Sequence, residues 1–314
     1  MIALRVVAVA AGAVAVLAVA LSAVRTVVLP RGHPVWLSRQ LFVFLRKLFD
    51  LRLRWTDTYA ARDRVMALYS PIGLMLLPIV WVAGVVVGFT VIFWGIEAHG
   101  LRSAVVLSGS SITTLGFFPP DDLPTDAAAV IEAVIGLGLV ALLISYLPSI
   151  YASFQRRELQ VAMLEVRAGD PPSAGEMIRR HHAIGWLDRS DSLFATWEEW
   201  FADIEETHTS QPSLVFFRSP QPGRSWITAA GAVLDAAALM ASTVDTAPVP
   251  QAQLCLRAGY LSLRRIAGYF SIPHDPNPSP GDPISVARSE FDEVCAGLVL
   301  GPLGPVPGRP PTPV

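Results

Sequence analysis

The 314 residues carry 24 Lys and Arg against 26 Asp and Glu, a formal net charge of −2, so no basic excess points to a nucleic-acid partner. Hydrophobic residues make up 52% and charged ones 16%, with a mean hydropathy of +0.47. That is too apolar for an ordinary soluble protein of this length, and the chain reads as an all-α membrane protein with a soluble helical part.

Residues 6–29 form an apolar run rich in Ala and Val, broken only by Arg25, whose long side chain can reach an interface. The run suits a first transmembrane helix (domain 1–30) or a signal peptide cleaved near Leu21-Ser22-Ala23. Arg25, Arg31, Arg39, Arg46, Lys47, Arg52, Arg54, Arg62 and Arg64 crowd the connection that follows, while Arg5 alone precedes the run. Positive charge is retained on the cytoplasmic side, so an uncleaved span with its N-terminus outside is expected.

Within that connection, residues 31–67, apolar positions Trp36, Leu37, Leu41, Phe44, Leu45, Leu48, Phe49 and Leu51 recur at helical spacing among Arg39, Arg46, Lys47 and Arg54. This predicts an amphipathic helix on the inner membrane surface, either a passive connector or a cuff that reads force or anionic lipid. Residues 68–157 are the next domain. Its first span, 68–95, has Pro71 near its start and Pro78 inside, where the missing donor bends a helix.

Residues 101–113 would make a helix of about 20 Å, too short for a hydrocarbon core of about 30 Å. Lying between two spans, it is expected to be re-entrant. The loop after it must line water or protein, because unpaired peptide groups in lipid cost several kcal/mol each. It offers consecutive carbonyls, threonine hydroxyls and a glycine able to take positive φ, a set suited to a dehydrated cation. Asp121, Asp122 and Asp126 follow at the expected outer mouth, where such acids either concentrate cations or are simply solvated.

Residues 127–151 form the third span, after which Arg156 and Arg157 mark the cytoplasmic side. Glu132 is the one carboxylate within an expected span; it needs a partner, and bracing the preceding loop by a hydrogen bond is the role expected of it.

Thr113-Thr114-Leu115-Gly116-Phe117 resembles the Thr-Thr-Val-Gly-Tyr core of the tetrameric potassium channels, and residues 101–113 resemble their pore helix. The resemblance runs from Ser70 to Arg157. It implies a homotetramer whose ion filter is Thr114, Leu115, Gly116, Phe117 and Phe118, supported by Thr113 and Glu132, with Asp121 and Asp122 at the outer mouth. It also implies a gating hinge in the third span, for which Gly136 and Gly138 are candidates, with Pro148 as a second bend; close helix packing is the other use for those glycines. Where the family continues with Gly and Asp, this chain has Phe118 and Pro119. Either Phe118 is strained in a conformation that favours glycine, or the outer filter takes another shape, which bears on potassium selectivity.

From residue 158 the chain turns into amphipathic helices with polar breaks, grouped as a helical cytoplasmic domain over 158–300. Residues 158–168 continue the third helix and Asp170-Pro171-Pro172 stop it. Helices are expected at 173–184, 191–206, 226–242, 251–270 and 284–298; only 214–217 hints at strand alternation. Residues 226–242 are apolar, but Asp235 at the centre and a length of about 17 residues favour a buried helix over a fourth span. Residues 301–314 are Pro-rich and expected to be disordered.

His181-His182 and Glu205-Glu206-Thr207-His208 gather imidazoles and carboxylates, with Glu205 and His208 on one helical face but in no metal-ligand spacing. Arg218-Ser219-Pro220 and Arg224-Ser225-Trp226 lead into a helix N-terminus that suits an anion or simple capping. Cys255 and Cys295 are expected to be reduced and buried.

With no phosphate-cradling glycine loop, dinucleotide fingerprint or nucleophile-base arrangement, the expectation is not an enzyme. It is a homotetrameric cation channel passing a potassium-like monovalent ion, without other cofactor, whose partners are membrane lipid and its own copies. The alternative is a non-conducting membrane scaffold or sensor. Twenty-three arginines against one lysine point to GC-rich coding and a bacterial plasma membrane.

Overall fold

The computed structural model describes residues 2–28, 36–56, 58–96, 100–120, 122–219, 221, 224–245, 248–275, 277, 279, 282 and 286–299. Arg31, Asp121 and residues 301–314 lie outside the described residues. Among those described every regular element is helical, and none is a strand. The chain divides into two compact units, Met1–Phe154 with Ser210–Arg218, and Gln155–Thr209 with Ser219–Val314.

The first unit contains α1 (Ile2–Val27), α2 (Trp36–Leu53), α3 (Tyr59–Ala67), α4 (Tyr69–Ile96), α5 (Leu101–Ile112) and the first part of α6 (Leu123–Ala168). Three helical runs, Ile2–Val27, Ala61–Ile96 and Leu123–Ala168, are long and apolar enough to cross a membrane. Their apolar residues go all the way round, so Val14, Leu17, Ile79, Val87, Val134 and Ile144 stay exposed while another face is buried.

Small residues let α1 and α4 meet. A Cβ on Gly12 would lie 2.6 Å from the Gly88 carbonyl oxygen, and one on Gly88 would lie 2.5 Å from a Val16 methyl. Gly84 and Gly88 are four residues apart and so share one face of α4, the small-xxx-small pattern that brings helix backbones together in apolar surroundings. Beside that seam the core is built from Trp81, Val85, Phe89 and Phe93 of α4, Ala104 and Leu107 of α5 and Leu139 of α6. At the end of α1, Thr26 and Ser38 share a hydroxyl hydrogen bond of 2.9 Å that ties α1 to α2.

The segment Ser210–Arg218 differs from its sequence reading. Pro212–Phe216 is a 3-10 turn, not a strand. Pro212 brings a fixed φ and no donor, which suits a turn start, and the period of three puts Leu214 and Phe217 in the same apolar cluster with Leu74, Tyr146 and Ile150.

The second unit holds the rest of α6, then α7 (Ala174–Ala183), α8 (Asp191–Ser210), α9 (Trp226–Ser242), α10 (Pro250–Tyr269) and α11 (Arg288–Val299). Ser173 caps α7 by accepting from the N–H of Glu176, the Ser-x-x-Glu signature of a helix start. On α8, Phe194, Trp197, Phe201 and Ile204 recur at helical spacing and are all buried. Alanine-rich α9 buries Ala229, Ala230, Val233, Ala236 and Ala237, and α10 comes close enough that a Cβ on Gly259 would lie 2.4 Å from Leu234. Helix α11 starts at Arg288, later than the expected 284, which lies outside the described residues. Cys255 and Cys295 are free thiols, Cys255 buried and Cys295 only half-buried, a correction to the expectation that both are buried.

Candidate functional site

The site is the end of α5 and the loop that leads to α6, all within the first unit. Helix α5 stops because the backbone turns over: Thr114 takes a φ of +55° and Gly116 one of +66°, with Leu115 between them on the ordinary side. A left-handed threonine costs roughly 1–2 kcal/mol, so it has to be held. It is held by its amide. Thr114 N–H donates to the Ser111 carbonyl at 2.9 Å, Leu115 and Gly116 N–H both donate to the Ser110 carbonyl at 3.1 and 3.4 Å, and Phe118 N–H donates to Ser110 Oγ at 3.1 Å.

These bonds sort the loop's polar groups. The N–H groups of Thr114, Leu115, Gly116 and Phe118 turn back onto α5, whereas no donor among the described residues reaches the carbonyls of Thr114, Leu115, Gly116 and Phe117. Thr113, Thr114, Leu115, Gly116 and Phe117 are all exposed. The loop therefore presents a row of free backbone acceptors, with the carbonyl end of α5 and its partial negative charge behind them. Thr113 belongs to the support side, because its hydroxyl donates to the Gly109 carbonyl at 2.6 Å. The Thr114 hydroxyl donates to the Thr113 carbonyl at 2.7 Å.

Phe118 is not in the left-handed region. It is half-buried against the first unit's core, with its amide on Ser110, so this position needs no conformation reserved for glycine. Pro119 and Pro120 carry it on toward Asp122, which caps α6: its Oδ1 accepts from the Thr125 N–H at 3.0 Å and the Thr125 hydroxyl at 2.5 Å. Those two donors hold the Asp122 carboxyl below the usual carboxylate range.

Behind the loop, Glu132 of α6 is fully buried and accepts from Ser108 Oγ of α5 at 2.5 Å; Ser108 also lies 3.2 Å from the Val86 carbonyl of α4. Three helices meet at that serine. Gly136, one turn further along α6, is where α6 comes up under the end of α5, since a Cβ there would lie 2.7 Å from the Ile112 carbonyl oxygen. Gly138 has open space around its Cβ position. The two candidate hinge glycines are thus different: Gly136 is a contact point and Gly138 is not, and α6 runs unbroken through both and through Pro148.

At the other end of the first unit, the Pro212–Phe216 turn sits just beyond Pro148. Ser70 Oγ of α4 donates to the Ser213 carbonyl at 3.0 Å, Gln211 donates to Ser149 Oγ of α6 at 2.9 Å, and Phe217 rests on Tyr151 and Phe154. Phe216 turns the other way onto Phe42 of α2 and Tyr69 of α4, and Arg218 pairs with Asp63. No sequence pattern announced this contact, because Leu214, Phe216 and Phe217 read as one short apolar run.

In the second unit the His and Glu residues of the sequence reading separate. His208 is fully buried with Nε2 at 3.1 Å from Arg157 Nη1 and Nδ1 at 2.7 Å from the Ile204 carbonyl. Glu205 instead takes Arg265 and the Ser262 hydroxyl. Burial, helped by the Arg157 charge, pushes the His208 imidazole down to about 3. The Arg157 guanidinium also lies 5.7 Å from the Trp226 ring and pairs with Glu158, so Arg157 is a core residue of the second unit. Ser225 caps α9 from that same corner, accepting from the Ile227 N–H at 3.2 Å.

The sequence pointed to the loop and to Glu132 but not to Ser108 and Ser110, which do the holding. Their signal was available as Ser-x-Ser at the end of an apolar helix, where each hydroxyl needs an acceptor. No family model matches this chain, and neither the curated proteins nor the solved structures give a significant match, so the site's chemistry rests on its geometry.

Proposed function

We propose that the chain is one subunit of a homotetrameric cation channel in a bacterial plasma membrane, conducting passively past the carbonyls of Thr114, Leu115, Gly116, Phe117 and Phe118. The observation that carries this reading is the sorting of the loop, with the amides of Thr114, Leu115, Gly116 and Phe118 bound back to Ser110 and Ser111 and the exposed carbonyls of Thr114 to Phe117 unpaired among the described residues. Carbonyl oxygens arranged around an axis can replace the hydration shell of a cation. One such loop per chain cannot enclose an ion, so several chains are needed, and the likeness to potassium channels suggests four. The strained Thr114 supports a functional reading, since a non-glycine residue in that region persists only where its surroundings impose it.

In this reading α1, α4 and α6 cross the membrane, α5 is the re-entrant pore helix, and Ser108 and Glu132 brace it. Three spans with the basic connection inside put the N-terminus outside and the second unit in the cytoplasm as a regulatory domain. The exposed Trp36, Phe44, Leu48, Arg39 and Lys47 of α2 then meet lipid at the inner surface. The permeant ion is a potassium-like monovalent cation.

Phe118 and Pro119 favour a second reading, a membrane scaffold or sensor that keeps this architecture without conducting, because a half-buried phenylalanine and a proline stand where the potassium channels have Gly and Asp. Purified protein in liposomes separates the two. Potassium flux above sodium flux, lost in Gly116→Ala, is expected of the channel. Equal fluxes would describe a pore without discrimination, and an intact tetramer with no flux in any ionic condition would favour the scaffold.

A further inference from the structure

The second unit contains a cavity of about 180 Å³ between the last turns of α6, the end of α7 and the start of α8. Its lining combines the cations Arg167 and Arg189 and the imidazole of His181 with apolar Leu164, Trp186 and Trp197, and no carboxylate among the described residues lines it. Neither arginine forms an ion pair among the described residues; Arg167 spends one N–H on the Met163 carbonyl of its own helix at 3.0 Å. His181 is buried with Nδ1 at 2.8 Å from the Met177 carbonyl, which makes Nδ1 the donor there and leaves Nε2 as the ring nitrogen available to a ligand.

The backbone fixes these groups. Gly185, at a φ of +69°, ends α7 with Trp186 N–H on the His181 carbonyl at 2.8 Å and Gly185 N–H on the His182 carbonyl at 3.0 Å. Trp186 starts a 3-10 turn, Leu187–Arg189, whose Arg189 N–H returns to the Trp186 carbonyl at 3.0 Å. The indole and the guanidinium are therefore presented by one tight turn. Trp197, also in the lining, is 2% exposed and packed edge-on against Trp200 at 4.5 Å between ring centroids.

We propose that this cavity binds a small organic anion, a monocarboxylate with an aromatic or branched apolar body. Size sets the upper limit: a cavity of about 150 Å³ accepts benzene, so this one suits a ligand of roughly ten heavy atoms and excludes a nucleotide. Charge sets the head group, because two guanidinium groups without protein carboxylates match a carboxylate's two oxygens. The indoles and Leu164 set the body. Such a ligand would clamp residues 160–167 of α6 to the Leu187–Arg189 turn. This binding is independent of ion conduction.

Calorimetric titration of the full chain in detergent tests it, with benzoate as probe, benzamide as its neutral counterpart and inorganic phosphate as an anion without an apolar body. Benzoate is expected to bind at least tenfold more tightly than either control, and Arg189→Gln to weaken benzoate about tenfold or more, as loss of a charge-assisted hydrogen bond does, without lowering the melting temperature of the free protein. Arg167→Gln should do the same, and should Arg167→Gln fail to fold, Arg189→Gln decides alone. Benzamide binding as well as benzoate, phosphate binding as well as benzoate, benzoate affinity unchanged by Arg189→Gln, or no saturable benzoate binding in the millimolar range would each overturn the proposal.

Discussion

Ser108 Oγ donates to Glu132 Oε1 at 2.5 Å with both residues fully buried, so one polar contact ties α5 to α6 inside an apolar layer. The second carboxyl oxygen, Oε2, meets no donor among the described residues, which makes the serine the main satisfaction of that group. Ser108→Ala is expected to destabilise by about 1–3 kcal/mol, the cost of a buried polar group left without its partner. Removing both groups in Ser108→Ala/Glu132→Leu should cost less than the two single changes added together. Unfolding in detergent measures all three variants, and strict additivity would show that the contact is energetically idle.

Gly136 and Gly138 should respond oppositely to alanine. At Gly136 the new methyl meets the Ile112 carbonyl oxygen and must push the end of α5 away, so a loss of about 1–3 kcal/mol is expected, as in other overpacked sites. At Gly138 nothing stands in the way, and alanine's better helix propensity should stabilise by up to about 1 kcal/mol. Melting temperatures of the two purified variants check this, and a destabilised Gly138→Ala would mean that α6 needs to bend there.

Leu214 is fully buried in the cluster with Leu74, Tyr146 and Ile150, so Leu214→Ala should cost about 2–5 kcal/mol in the first unit. The loss should be local. Amide hydrogen exchange over residues 146–154 is expected to quicken in this variant and to stay unchanged in Val233→Ala, which opens the core of α9 instead. Equal effects of both changes would show that the turn does not hold the Pro148 end of α6.

The pH dependence of the second unit should carry the mark of His208. Its imidazole is held down to about 3, against an ordinary value of about 6.5 in an unfolded chain. The unfolded chain then takes up a proton that the folded chain refuses, so stability is full above pH 6.5 and falls as pH drops toward 3. Between pH 7 and 5 the loss amounts to about 2 kcal/mol. Denaturant melts followed by tryptophan fluorescence should show this fall in the parent protein and a flatter profile in His208→Phe, whatever that variant's absolute stability. An unchanged slope would assign the dependence to other groups.

What the amino-acid sequence determined by itself is what repeats along one helix or depends on one neighbour. Three apolar runs announced three long helices, because length and apolarity are properties of the run itself. Asp170-Pro171-Pro172 marked the end of the third long helix for the same local reason, and α6 stops at Ala168. Only the tertiary structure decided which groups meet across the chain. Ser108 on Glu132, Ser70 on Ser213, Gly136 under Ile112 and Arg157 on His208 join residues between 24 and 143 positions apart. Glu132 inside a span and the Ser-x-Ser of α5 announced a need for partners, but no local pattern says which distant group each residue meets. The same is true of the 214–217 stretch, a short apolar run that follows Pro212 into a 3-10 turn, the arrangement that buries Leu214 and Phe217 together and turns Phe216 onto Tyr69.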